Sequence, residues 1–145
     1  MTAPSVDTLR AALAPILARA RTDDHAVRGS DGEPRRADCP LTAARVNEHI
    51  VGASKRGAYL MRPGTTTSVA ALDLDSHRGE TPWPTMVETA ARIADALERR
   101  GLRCIAWRSS GGHGLHLWLL WDRPQDAFSV RTLLIEALAE CGLRD

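Results

Sequence analysis

Leu9, Leu13, Ile16 and Leu17 recur at the three-and-four spacing of an amphipathic helix, which predicts a helix over Val6 to Ala20. Pro15 lies inside that stretch, removes a backbone donor and predicts a kink or a break there. The apolar pattern then stops. From Arg21 to Pro40 the chain is polar, with Gly29, Gly32, Pro34 and Pro40 as breakers, and it reads as a loop. Val46 and Ile50 resume the helical spacing within Thr42 to Ala53, with Gly52 near the end. Ala58 to Met61 and Ser68 to Leu74 are apolar runs of strand length around a Pro63-Gly64 turn, and they read as a hairpin with a longer loop. Met86, Ala90, Ile93 and Leu97 form the stripe of the next helix, with Thr81 as its cap, Pro82 at its first position and Gly101 as its stop. Leu102 to Trp107 alternates as a strand, Leu102, Cys104 and Ala106 on one side. Leu115 to Trp121 alternates again, with His116 and Trp118 facing opposite to Leu115, Leu117 and Leu119. Phe128, Val130, Leu134 and Leu138 mark a final helix capped by Asp126 and ended by Gly142. This order of elements predicts a layered α/β or α+β domain.

A chain of 145 residues accommodates about one domain with its own core. The 43% hydrophobic and 26% charged content is ordinary for a globular protein, and a net charge of +1 excludes a global basic field that would announce nucleic acid. Eighteen arginines stand against one lysine, Lys55; the guanidinium fork suits phosphate, but GC-rich coding gives the same bias. In the polar stretch Arg21, Arg28, Arg35 and Arg36 alternate with Asp23, Asp24, Asp31, Glu33 and Asp38, which favours a solvated loop over a nucleic-acid arm. Cys39, Cys104 and Cys141 have no paired spacing, so neither a disulfide framework nor a four-cysteine zinc site is expected. With no apolar signal core and no run near 18 apolar residues, a soluble cytoplasmic protein without a membrane partner is expected.

Two short runs carry chemistry. In Ser68 to His77 an apolar strand ends in Asp73 and Asp75, which are two apart and leave the same face. Carboxylates about 7 Å apart along a strand repel unless a cation lies between them, and hard oxygens of this kind suit Mg²⁺ or Mn²⁺. A bare pair of this spacing is equally a solvated turn; the second run gives it weight. There, Ser110, Gly111 and Gly112 form a tight turn whose amides and hydroxyl can make an anion nest. Arg108 enters the turn, His113 follows it, and His116 stands on the next strand where it can hydrogen-bond a phosphate oxygen. Zinc held by His113 and His116 is disfavoured, because their spacing puts them on opposite sides of a strand.

Taken together, "SVAALDLDSH", a helix, and "SSGGHGLHLW" resemble the archaeo-eukaryotic primase superfamily, whose first motif is an apolar strand ending in DxD and whose second is a Ser/Gly turn leading to a strand histidine. The helix and strand between, Pro82 to Trp107, look like those of the polymerase domains of bacterial end-joining ligases. Upstream, "PLTAARVNEHIVGASKRGAYLMRP" is similar to the segment before the DxD in primases of conflict systems and mobile elements.

The resemblance implies a primase-polymerase catalytic core, an α/β unit joined to an RRM-like one. Residues 1–40 would be an N-terminal helix and polar loop, and residues 41–145 the N-terminal part of the catalytic domain. Asp73 and Asp75 would bind catalytic Mg²⁺ or Mn²⁺; Ser110 and His116, with Arg108, Gly111, Gly112 and His113 around them, would hold the triphosphate. The implied activity is nucleotidyl transfer from a nucleoside triphosphate to a nucleic-acid 3′ end or a primer start. DNA or RNA would be template or primer, with a helicase or nuclease fused or associated. The family's third motif is an acid on a later strand, for which Asp122 and Asp145 are poor substitutes; a domain incomplete at its C-terminus and inactive alone is therefore expected. Two alternatives stand beside this. One is a haloacid-dehalogenase-like phosphatase with Asp73 as nucleophile, although His77 stands where such enzymes prefer Thr or Val. The other is a catalytically inactive RRM-like nucleic-acid-binding module, against which stands the lack of two aromatics alternating along one strand.

Overall fold

The computed structural model describes residues 4–62, 64–76, 79–109 and 112–143. The chain forms two compact units, Met1–Ser68 and Val69–Asp145. Their boundary falls inside a strand.

In the first unit, helix α1 (Val6–Leu17) starts at Ser5, whose hydroxyl accepts the Thr8 amide, and runs through Pro15. The stretch expected to be a loop is instead a hairpin of β1 (Arg21–Arg28) and β2 (Pro34–Ala37), with His25 opposite Ala37 and Arg28 opposite Pro34. The expectation failed because the buried residues of β1 are polar. Asp24 is 3% exposed and takes Arg21 at 2.8 Å and Arg36 at 2.6 Å on one oxygen. His25 is fully buried. Its Nδ1 faces the Cys39 carbonyl at 2.9 Å, which can only accept, so Nδ1 carries the proton and Nε2 accepts from Arg56 at 2.8 Å. Arg56 in turn reaches Glu48 at 2.6 Å, on helix α2 (Ala43–Ile50), which Thr42 caps. Buried polar groups persist where partners satisfy them, and here Arg36, Cys39, Arg56 and Glu48 supply most of the partners, while Asp24 Oδ1 and Arg56 Nε are buried with none among the described residues.

The β3 strand (Arg56–Tyr59) pairs with the other edge of β1, giving the order β2-β1-β3. This corrects the predicted hairpin. Only β4 (Met61–Arg62) turns back onto β5 (Thr66–Asp75), pairing Met61 with Thr67 around the left-handed Gly64 and Thr65.

In the second unit β5 is followed by α3 (Trp83–Glu98), β6 (Cys104–Arg108), β7 (Gly114–Asp126) and α4 (Ala127–Glu140). β7 lies between β5 and β6. β6 and β7 are antiparallel, with Trp107 opposite His116 and Ile105 opposite Trp118. The core joins Ala70, Leu115, Leu117 and Leu119 of the sheet to Met86, Ile93 and Leu97 of α3 and Val130 and Leu134 of α4. Both helices therefore cover one face of the sheet. Each fully buried leucine or isoleucine contributes about 1.5–3 kcal/mol. This β-α-β-β-α order with a central β7 is that of a split βαβ unit, and the expected mixed α/β class with an RRM-like part is what forms.

Candidate active site

Leu72 and Leu74 pack toward the helices, so the alternation of β5 sends Asp73 and Asp75 to the opposite face, where both are exposed. The Leu row of β7 points the same way as Leu72, which leaves His116 on the carboxylate face. Ser76 donates its amide to the His113 carbonyl at 3.2 Å while Asp73 meets His116, so numbering rises on one strand as it falls on the other. The strands are thus antiparallel, and the DxD end is brought beside the start of β7. His116 Nε2 lies 3.3 Å from Asp73 Oδ1, with side-chain exposures of 34% and 68%. Trp118 meets the His116 ring edge-on at 6.2 Å. By register Trp107 and Ile105 share this face, since directly opposed residues project together. Among the described residues no single strand carries two alternating aromatics, but the pairing of β6 with β7 brings Trp107 and Trp118 to one face.

The turn between β6 and β7 is held from several sides. Ser110 and Gly111, two of the expected phosphate-binding residues, lie outside the described residues. Gly112 has φ +75° and donates its amide to the Ser109 carbonyl at 2.9 Å. Arg108 donates Nε and Nη2 to the Gly112 carbonyl at 3.0 and 2.9 Å, and its guanidinium lies 4.2 Å over the Trp83 ring. The Ser109 hydroxyl accepts the Gly114 amide at 3.0 Å. His113 is exposed. Ser76, buried directly after Asp75, accepts the Thr81 amide on its hydroxyl at 2.7 Å. Thr81 is not the cap of α3, because the helix begins at Trp83 and the cap position falls one residue later. Pro82 stands there without a side-chain bond, and Pro84 in the first turn removes one of the amides that would need one.

The sequence pattern described as the archaeo-eukaryotic primase domain of TOTE conflict systems matches residues 16–144. The chain belongs to that family. Comparison with curated proteins finds no match. A primase-like domain of conflict systems is thus the setting for the two motifs.

Among the described residues of this primase domain, no three His, Cys, Asp or Glu side chains group as a metal site. Asp73 and Asp75 nonetheless suit a hard divalent cation in part: two same-face carboxylates, open to solvent, with room for water or phosphate oxygens. Asp122 is exposed farther along β7 and has other interactions; Asp145 lies outside the described residues. A cavity of about 360 Å³ beside the end of β5 is lined by Leu72, Leu74, Met86 and Leu138 as well as both aspartates, and includes neither His116 nor the glycine turn.

Sequence reading passed over Ser76, Trp83, Ser109 and Gly114 of the primase domain. For Gly114 the signal lay in its packing, since a Cβ there would sit 2.9 Å from the Leu74 carbonyl oxygen. Among the described residues no helix is long and apolar enough to cross a membrane.

Proposed function

We propose that this primase domain transfers nucleotidyl units from nucleoside triphosphates to a nucleic-acid 3′ end or a primer start. The observation that carries the reading is the approach of His116 to Asp73 at 3.3 Å, which joins the carboxylate pair to the strand leading from the glycine turn. In this reading Asp73 and Asp75 hold Mg²⁺ or Mn²⁺. Such ions, when bound, lower the charge barrier to in-line displacement at phosphorus and ease departure of pyrophosphate. The chain's own part is positional. Amides of the glycine turn and His116 grip the triphosphate, and the antiparallel pairing keeps it next to the carboxylates. DNA or RNA is template or primer, and the carboxylate face carries the half-buried Trp107 and Trp118, indoles on whose exposed parts a base can stack.

That aromatic face also favours a second reading, a nucleic-acid-binding module without catalysis. Incorporation of labelled nucleotide with Mn²⁺ separates the two. Calorimetric titration with Mn²⁺ tests the site itself: wild type is expected to bind, and Asp73→Ala plus Asp75→Ala to abolish binding. Equal binding by the double variant would reject the metal assignment.

A further inference from the structure

Arginine grips phosphate with a fork of parallel N–H donors. In Arg108 one such fork, Nε and Nη2, is already closed on a single acceptor, the Gly112 carbonyl oxygen. The guanidinium plane is held as well, 4.2 Å over the ring of Trp83 at the start of α3. Because a trans peptide sets its N–H opposite its C=O, fixing the Gly112 carbonyl also fixes the direction of the His113 amide. Gly112 can take this orientation at φ +75°, where a side chain would be strained. Ser76 holds the next carbonyl, that of His113, and the Ser109 hydroxyl holds the next amide, that of Gly114. The three consecutive residues 112–114 are thus each tied to a different neighbour.

We propose that Arg108 is a positioning residue of the glycine turn, clamped between Trp83 and the Gly112 carbonyl, and not itself a ligand of nucleotide phosphate. The inference rests on the reading that this turn receives a triphosphate. It replaces one expected role, that of Arg108 as a direct nucleotide contact, with an indirect one shared with a tryptophan 25 positions earlier in the chain.

The test compares Arg108→Ala, Arg108→Lys, Trp83→Ala, Trp83→Phe and the double alanine variant in the full chain. ATP binding with Mn²⁺ is followed by calorimetry, and amide exchange of Gly112 and Gly114 by NMR. Charge-assisted bonds of this kind are worth about tenfold or more, so Arg108→Ala is expected to weaken ATP by about that factor. Arg108→Lys keeps the charge but lacks the fork and is expected to do nearly as badly. Trp83→Ala is expected to cost about two- to fivefold, Trp83→Phe to restore most of it, and the double variant to cost no more than Arg108→Ala. Exchange at Gly112 and Gly114 should quicken in Arg108→Lys and Trp83→Ala. Retained affinity in Arg108→Lys, no loss in Trp83→Ala, or full additivity in the double variant would overturn the clamp. Should wild type bind no triphosphate, the proposed function falls. The clamp is then judged by exchange alone: acceleration in both variants upholds it and unchanged exchange overturns it.

Discussion

Gly114→Ala probes the join between the two motifs. The new Cβ would lie 2.9 Å from the Leu74 carbonyl oxygen, 3.1 Å from the Ser109 hydroxyl oxygen and 3.4 Å from Ser109 Cβ. Ordinary contact begins near 3.4 Å, so β5 and β7 must part by about half an ångström against a backbone atom that cannot rotate away. Forcing a methyl group into a packed site costs about 1–3 kcal/mol. For a chain of this length that is a fall of roughly 3–10 °C in Tm. The displacement acts two residues from the pairing of His116 with Asp73, so Mn²⁺ and ATP binding should weaken beyond what the stability loss explains. Gly57→Ala is the control. Its Cβ would meet only Ala26 Cβ at 3.7 Å without a positive φ, so stability should hold or rise by a few tenths of a kcal/mol. Thermal melts followed by calorimetric titration make the comparison. A Gly114→Ala protein as stable as Gly57→Ala, with unchanged ligand binding, would refute the close approach of the two strands.

Three further outcomes are expected. Leu117→Ala removes a fully buried side chain between the sheet and both helices and should cost about 2–5 kcal/mol by urea denaturation. Asp24→Ala leaves Arg21 and Arg36 without their shared acceptor; because Arg36 is more than half exposed and can turn to water, the cost should be about 1–3 kcal/mol, measured the same way. Arg99 and Arg100 hold the Glu140 carboxyl below its usual range, so its ion pairs stabilise the fold above that range and are lost as pH falls through the lowered value. Glu140→Gln should therefore melt below wild type at pH 7, and the gap should close in acid; a gap that persists at pH 2 would show that packing, not charge, is responsible.

The helices and the second-unit strands were legible in the sequence because their apolar residues keep a period: the stripe Met86, Ala90, Ile93, Leu97 in α3 and the alternation from Leu115 to Leu119 in β7. Asp126 was legible as a cap because capping is local, its carboxylate accepting the Ser129 amide three residues on. The facing of Asp73, Asp75 and His116 also followed from alternation alone. What alternation could not supply was which strands pair. The polar β1–β2 hairpin was missed because its inner residues, Asp24 and His25, are polar and bind Arg36, the Cys39 carbonyl and Arg56, partners up to 31 positions away. The parting of β3 from β4, the approach of His116 to Asp73, the shared face of Trp107 and Trp118, and the clamp of Trp83 on Arg108 all depend on contacts between residues remote in the chain. Period is a property of neighbours along the backbone and is written in the sequence; the choice of pairing partner is decided by the combined burial and hydrogen bonding of the folded sheet, and only the tertiary structure states it.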